Sequence, residues 1–265
     1  MLQMESKEDL ETELLKIYAW EKNQKKVWLW DKISRLPFMV LDRLTPKFIR
    51  DILGKGLAEV GRFIQTGGQY LVQQKSVMKR YAKFIDEDPT LEEVSQLPLA
   101  MMDQITDEMV KSRVRFAAAQ GATTGVGGVF TLAADIPAVL GLSLKVLQEI
   151  ALCYGYDPRE EKERVFIVKC LQFASADIVG KKAVLEELAQ FEMDDKSVQV
   201  ISQIQGWREV VQTYRDSFGF KKLFQLVPVA GIVFGSISNK GTIEDVAEAG
   251  QMLYKKRRII SRLQH

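Results

Sequence analysis

Phe116-Ala-Ala-Ala-Gln120-Gly121-Ala-Thr-Thr-Gly125-Val-Gly127-Gly128-Val-Phe130-Thr-Leu-Ala-Ala-Asp135-Ile-Pro137-Ala-Val-Leu-Gly-Leu-Ser-Leu144 is the stretch on which the fold turns. Residues 116–134 carry no charge, and nine further uncharged residues follow Asp135. Gly121 and Gly125 stand four apart, which strips side chains from one helix face and lets a second helix approach closely. A membrane span is a poor reading: Gln120 and three threonines interrupt the first part, and joining the two parts places Asp135 at mid-membrane, costing about 2.5–3.5 kcal/mol. Buried core helices of a soluble bundle are the better expectation. Shallow or conditional insertion into a bilayer is the alternative.

A second stretch of the same kind, Leu223 to Asn239, has seventeen uncharged residues and pairs Gly231 with Gly235. It lies at the short limit for a span, roughly 17 residues, and contains Pro228. Around these segments helix signals dominate. Ser6 with Asp9 reads as a cap, for a helix running towards Ile33. Thr45-Pro46 opens another helix, Thr90 with Glu93 caps a short one, and a further helix starts near Pro98. Gly155 closes a helix before Asp157-Pro158 starts the next, Asp135 caps a helix beginning near Pro137, and Thr242 begins the last helix. No stretch shows sustained alternation with hairpin punctuation. The fold class is therefore all-α: a multi-helix bundle with glycine-rich apolar central helices. One internal echo matches Ser34 to Thr45 with Ser95 to Thr106, each copy a proline-started turn leading to a threonine that can cap the next helix.

Apolar residues at 46% and charged residues at 27% are globular proportions. The net charge of +2 conceals blocks. Between Lys16 and Lys83 fifteen bases face five acids, and Asp86 to Glu108 holds eight acids and no base. The final sixteen residues contain Lys255, Lys256, Arg257, Arg258 and Arg262 without an acid. Such blocks argue for an oriented field and against a generic nucleic-acid binder. Cys153 and Cys170 lack any Cys-x-x-Cys context and are expected in the core, as suits a reducing compartment. The acidic start, Met1 to Leu15, has no signal-peptide pattern, which leads to an expectation of a cytoplasmic protein.

Catalytic machinery is missing from the pattern. His265 is the only histidine and the final residue, so no histidine-based triad or metal site can be assembled. Ser76-Val-Met-Lys79 has Ser-x-x-Lys spacing without its companion motifs and reads as a surface helix. The glycine run at 121–128 has no lysine in the Walker position, and Gly235-Ser-Ile-Ser-Asn-Lys240-Gly241-Thr242 has lysine and glycine in the wrong order. No cofactor and no metal is implied. Asp135, Asp157 and Asp177 are the remaining carboxylates a hydrolase-like enzyme could use, and a lipid- or apolar-ligand-binding protein is a further alternative.

Both ends look suited to a charged surface. Trp20, Trp28 and Trp30 share a basic helix, and the last helix sets Leu253, Tyr254, Ile259 and Ile260 beside Lys255, Lys256, Arg257 and Arg258. Aromatic and basic amphipathic helices fit the interface of anionic lipid, each cation adding about 1 kcal/mol. Salt-sensitive binding to an anionic membrane surface is the expectation, with no nucleic-acid partner.

Leu132-Ala-Ala-Asp135-Ile-Pro137, followed by an apolar helix ending Ile150-Ala-Leu-Cys-Tyr154-Gly155-Tyr156-Asp157, resembles the core signature of the EcsC family. Val227-Pro-Val-Ala-Gly231, Ser238-Asn239 and the Thr242 segment resemble its C-terminal part. The resemblance covers about residues 35–258, dividing the chain into a basic and aromatic helix over 1–34 and a helical domain over 35–265. It implies a bacterial protein often encoded beside an ABC-type exporter, with no established activity. Asp135, Pro137, Tyr154, Gly155, Tyr156 and Asp157 carry over as motif positions without an assigned role, and Asp177 joins them on its apolar surroundings. The function expected is that of a non-enzymatic protein at the cytoplasmic membrane face, accessory to an exporter or another membrane protein.

Overall fold

The structure, a computed structural model, describes residues 4–24, 62–67, 72–85, 89–124, 129–176, 178–191 and 228–264, with side chains at all of these but 121–124, 129–137, 178–180, 190–191 and 228–239. Among the described residues the regular structure is entirely helical, as the periodicity predicts. The helices are α1 (Lys7–Gln24), α2 (Gln74–Met78), α3 (Leu91–Ser95), α4 (Leu99–Thr124), α5 (Val129–Cys153), α6 (Glu161–Ser175), α7 (Ile178–Phe191) and α8 (Pro228–Gln264).

Local chemistry starts several of them. Ser6 and Asp9 exchange hydrogen bonds across the first turn of α1, the Asp9 amide donating to Ser6 Oγ at 3.2 Å and the Ser6 amide to Asp9 Oδ2 at 3.0 Å. Thr90 and Glu93 form a reciprocal capping box at α3. Two helices begin earlier than their sequence signals suggest. α5 is already helical at Val129, so Asp135 and Pro137 lie inside it and Asp135 is not its N-cap. Likewise α8 starts at Pro228, a proline at the first helical position, and Thr242 lies buried in its interior. In both cases the residues before the expected cap, uncharged except for Lys240 in α8, continue the helix. The echo at Ser95 to Thr106 also reads differently: Thr106 is buried within α4 and donates to the Met102 carbonyl at 2.7 Å, capping nothing. The earlier copy, Ser34 to Thr45, lies outside the described residues, as do the Thr45-Pro46 start, Gly125, Trp28, Trp30, Asp177 and His265.

α8 is the central element, packed against α1, α4, α5 and α6. It runs antiparallel to α4, because Lys255 meets Asp103 and Gln251 meets Asp107. α4 and α5 are antiparallel as well, through Arg113 with Glu149 and Asp103 with Tyr154. Close approach of α5 and α8 occurs at Gly250, where an added Cβ would lie 2.6 Å from Leu147 Cδ2. Gly250 thus gives a close contact of the kind expected at Gly231 and Gly235, whose surroundings lie outside the described side chains. α6 is buried at every position from Glu163 to Phe173. A helix enclosed on all sides must satisfy its own polar groups. Glu163 pairs with Arg257, Arg164 donates to the carbonyls of Ile64, Gln65 and Arg159, and Lys169 pairs with Glu187. Cys153 and Cys170 are free thiols in the core, as expected.

These pairings give the bundle two unlike ends. At one lie the start of α4, the end of α5 and the end of α8, rich in charge. Towards the other run the uncharged residues of α4 (116–124), α5 (129–134 and 136–144) and α8 (228–239). At about 1.5 Å per residue, Thr124 is about 26 Å along α4 from Asp107, and Pro228 about 35 Å along α8 from Gln251.

Candidate functional site

The charged end gathers the motif Tyr154-Gly155-Tyr156-Asp157 and the basic cluster of α8 into one network. α5 stops there because Gly155 takes φ +75°, a left-handed conformation that glycine adopts without strain. The Gly155 amide then donates to the Leu152 carbonyl at 3.1 Å and the Tyr156 amide to the Ala151 carbonyl at 2.9 Å. This turn leaves the Tyr154 carbonyl facing α8. Arg258 donates to it from Nε at 3.0 Å and from Nη2 at 2.6 Å, so a guanidinium caps the negative end of the helix dipole.

Tyr154 also works through its hydroxyl, which donates to Asp103 Oδ1 at 2.5 Å while Lys255 donates to Asp103 Oδ2 at 2.8 Å. Burial and the nearby Asp103 carboxylate raise the Tyr154 phenol well above its ordinary range, so it stays a donor. Lys255 reaches Glu13 of α1 at 2.7 Å on its other side. Burial works against the Lys255 ammonium, but Asp103 and Glu13 outweigh it and hold the group above the usual lysine value. Arg257 meets Glu163 with two nitrogens, each 2.7 Å from an oxygen, and its guanidinium lies 4.3 Å from the Tyr156 ring centroid and 4.8 Å from that of Phe166. Arg258 covers the Tyr156 ring from 4.4 Å. Lys256 pairs with Glu21 at 2.7 Å, and Arg262 with Glu5 at 3.0 Å and with the carbonyls of Ser95 and Leu97.

Lys255, Lys256, Arg257 and Arg258, expected from the sequence to meet an anionic surface or a partner, are thus also fastened within the fold. Each is engaged by a carboxylate or a helix-end carbonyl from an element distant in sequence. Such long-range pairing leaves no local signal in a run of four bases followed by Arg262. The acids that answer it, Glu5, Glu13, Glu21, Asp103 and Glu163, look unremarkable in the sequence. Only the absence of acids within the last sixteen residues hints that compensation comes from elsewhere.

Tyr154, Gly155 and Tyr156 thus act as a helix stop and a seat for α8. Asp157 sits beside them, accepting from the Arg159 amide at 2.9 Å and pairing with the Arg159 guanidinium at 2.6 Å. Burial opposes ionisation of Asp157, yet the hydrogen bonds from Arg159 hold its carboxyl below the usual range. Asp135 is not brought to this place. Eighteen helical residues separate it from Cys153, about 27 Å, so a single site cannot use both carboxylates. Ser76 is exposed and donates to the Gln73 carbonyl at 2.8 Å, in a short helix that buries Val77 and Met78. Among the described residues no three His, Cys, Asp or Glu side chains converge to hold a metal ion.

These ion pairs predict how stability follows pH. Hydrogen bonds from Lys16 and then Lys255 lower the Glu13 carboxyl, and Asp157 is lowered as above. In the window between the folded and the unfolded values, the unfolded chain binds protons that the native state has released. Stability is accordingly full above the usual carboxylate range, about 4–4.5, and is lost as pH falls through it. The urea midpoint should stay level from pH 8 to about 5.5 and drop below about 4.5. A midpoint that changes between pH 6 and 7 would contradict the assignment, because the only histidine is residue 265 and the Cys153 thiol is pushed up to about 12 by burial.

Residues 11–259 match the EcsC protein family. "Uncharacterized protein YdbA" of Bacillus subtilis (strain 168) is 60% identical over 261 residues, covering 98% of this chain and 96% of that protein. "Protein EcsC" of the same organism is 30% identical over 165 residues, covering 62% of this chain and 67% of its own. No solved structure matches the chain. The family match begins inside α1, whose acids Glu13 and Glu21 are paired with α8, and runs through the helix stop to the final basic cluster. The chain belongs to the EcsC protein family.

Proposed function

We propose that this chain is a non-catalytic helical protein of the cytoplasmic membrane face, entering the bilayer surface with the uncharged end of its bundle. The carrying observation is the convergence of the uncharged ends of α4, α5 and α8 away from the charged network. Phe116, where the uncharged part of α4 begins, supports the reading because its side chain is 58% exposed. No helix among the described residues is long and apolar enough to cross a membrane. The uncharged tips, 116–124 of α4, 129–134 of α5 up to Asp135 and 228–239 of α8, measure about 9–18 Å, on the scale of one leaflet, half of a hydrocarbon core about 30 Å thick. The opposite end, tied by ion pairs, remains in water. An accessory role towards a membrane protein fits this orientation, with an ABC-type exporter the partner that the resemblance implies.

A nitroxide at position 116 tests the reading. Cys153 and Cys170 are buried, so a Phe116→Cys variant is labelled selectively. On adding vesicles of phosphatidylethanolamine and phosphatidylglycerol, the label should lose access to a water-soluble relaxant and gain access to oxygen. A label at Lys16→Cys, on the exposed side of α1, should not change. Unchanged aqueous access at position 116 would reject the proposal.

A further inference from the structure

Among the longer helices, α1 stands apart in what fastens it. Of its eighteen residues only Leu10, Ile17 and Glu21 are buried. Leu14 and Trp20 add partly buried packing against the core, the Trp20 ring centroid lying 5.4 Å from that of Phe173, and the rest of its hold is ionic and directional. Glu5, just before the helix, and Glu13 and Glu21 on it stand eight residues apart, a net turn of about 80° at each step on a regular helix, so they wind across the side of α1 that meets α8 and do not form one straight row. They meet Arg262, Lys255 and Lys256 in turn. Trp20 Nε1 donates to Glu248 at 2.7 Å and Lys181 donates to Gln24 at 2.6 Å. Lys256 also lies 5.1 Å from the Tyr18 ring centroid.

The basic side is built to stand without α1. Lys255 keeps Asp103 of α4, and Arg262 keeps the Ser95 and Leu97 carbonyls. Both cations therefore hold their positions when their glutamates leave, and a preorganised acceptor loses little on rebinding. These pairs are half-buried or buried, so salt screens them only in part, and it is the small number of buried residues on α1 that makes it the first of the longer helices to lift.

We propose that α1 is a releasable strap, and that the basic acceptor it covers on α8 (Lys255, Lys256 and Arg262) takes an acidic amphipathic helix of a partner protein when the strap lifts. The strap itself displays the chemistry that fits: carboxylates eight residues apart with a few apolar residues between them. Resident and incoming helices compete, so the apparent affinity for a partner falls with the fraction of closed strap. The inference concerns the charged end alone and does not rest on the membrane reading of the opposite end.

The probe is a fluorescent peptide of residues 4–24, added to the full chain carrying Glu5→Gln, Glu13→Gln and Glu21→Gln. Anisotropy should show at least tenfold tighter binding to this variant than to the wild type, weakening as NaCl rises. Adding Lys255→Gln and Lys256→Gln should abolish it. Equal or absent binding to the folded variant and wild type overturns the acceptor, and binding of phosphatidylglycerol vesicles in place of the peptide overturns the partner class. Hydrogen exchange on the wild type decides independently, including if the variant fails to fold. The α1 amides should exchange at least tenfold faster than those of α6 and faster still in salt. Equal protection of α1 and α6 overturns the strap.

Discussion

Gly155→Ala should lower stability by about 2–5 kcal/mol, adding the cost of a left-handed L-residue to that of overpacking. For a chain of this size the melting temperature should fall by about 10 °C. The backbone at Gly155 has φ +75°, and a Cβ there would lie 2.9 Å from the nitrogen, Cα and Cβ of Ser95. Those are backbone-anchored atoms at the end of α3 and cannot swing aside as a side-chain tip could. Moving them would also disturb the Ser95 carbonyl that receives Arg262. Calorimetry checks the expectation, and a fall below about 2 °C would mean that α3 and the end of α5 are not in contact.

Arg257→Leu is the second large change, expected to cost about 3–5 kcal/mol, because it strands a buried carboxylate. The Glu163 side chain is 3% exposed and lies in the helix enclosed on all sides. Its remaining neighbour, the Tyr254 hydroxyl at 3.4 Å, is a neutral donor and no substitute for a guanidinium. Replacing Glu163 by Leu as well should recover most of the loss, since the pair is costly mainly when broken. A urea double-mutant cycle measures both, and additive losses would show that the two side chains do not interact.

Much of the helical framework was legible because its signals are local. Ser6 with Asp9, Thr90 with Glu93, Pro98 before α4 and Gly155 after α5 each act within four residues, and each stands where the sequence places it. The starts of α5 and α8 were not legible for a related reason. Pro137 and Thr242 are good beginnings for a helix, but nothing local forbids an earlier one through the largely uncharged residues before them. The ionic network was illegible altogether. Glu5 and Arg262, or Glu21 and Lys256, are more than 230 positions apart, and only packing around α8 brings them together. A run of bases that reads as a surface in the sequence is therefore also a set of internal fasteners.

The central place of α8 has a consequence for how the protein is made. α8 leaves the ribosome after every described helix it gathers. At roughly 5–20 residues per second, about 7–28 s pass between completion of α4 and completion of α8. Throughout that interval Leu147 and Ile150 lack the close-packed Gly250, and Phe166 lacks Tyr254, whose ring centroid is 4.7 Å away in the finished fold. The nascent chain cannot settle one helix at a time. It carries these apolar faces uncovered until α8 arrives, a transient exposure of the kind that favours aggregation.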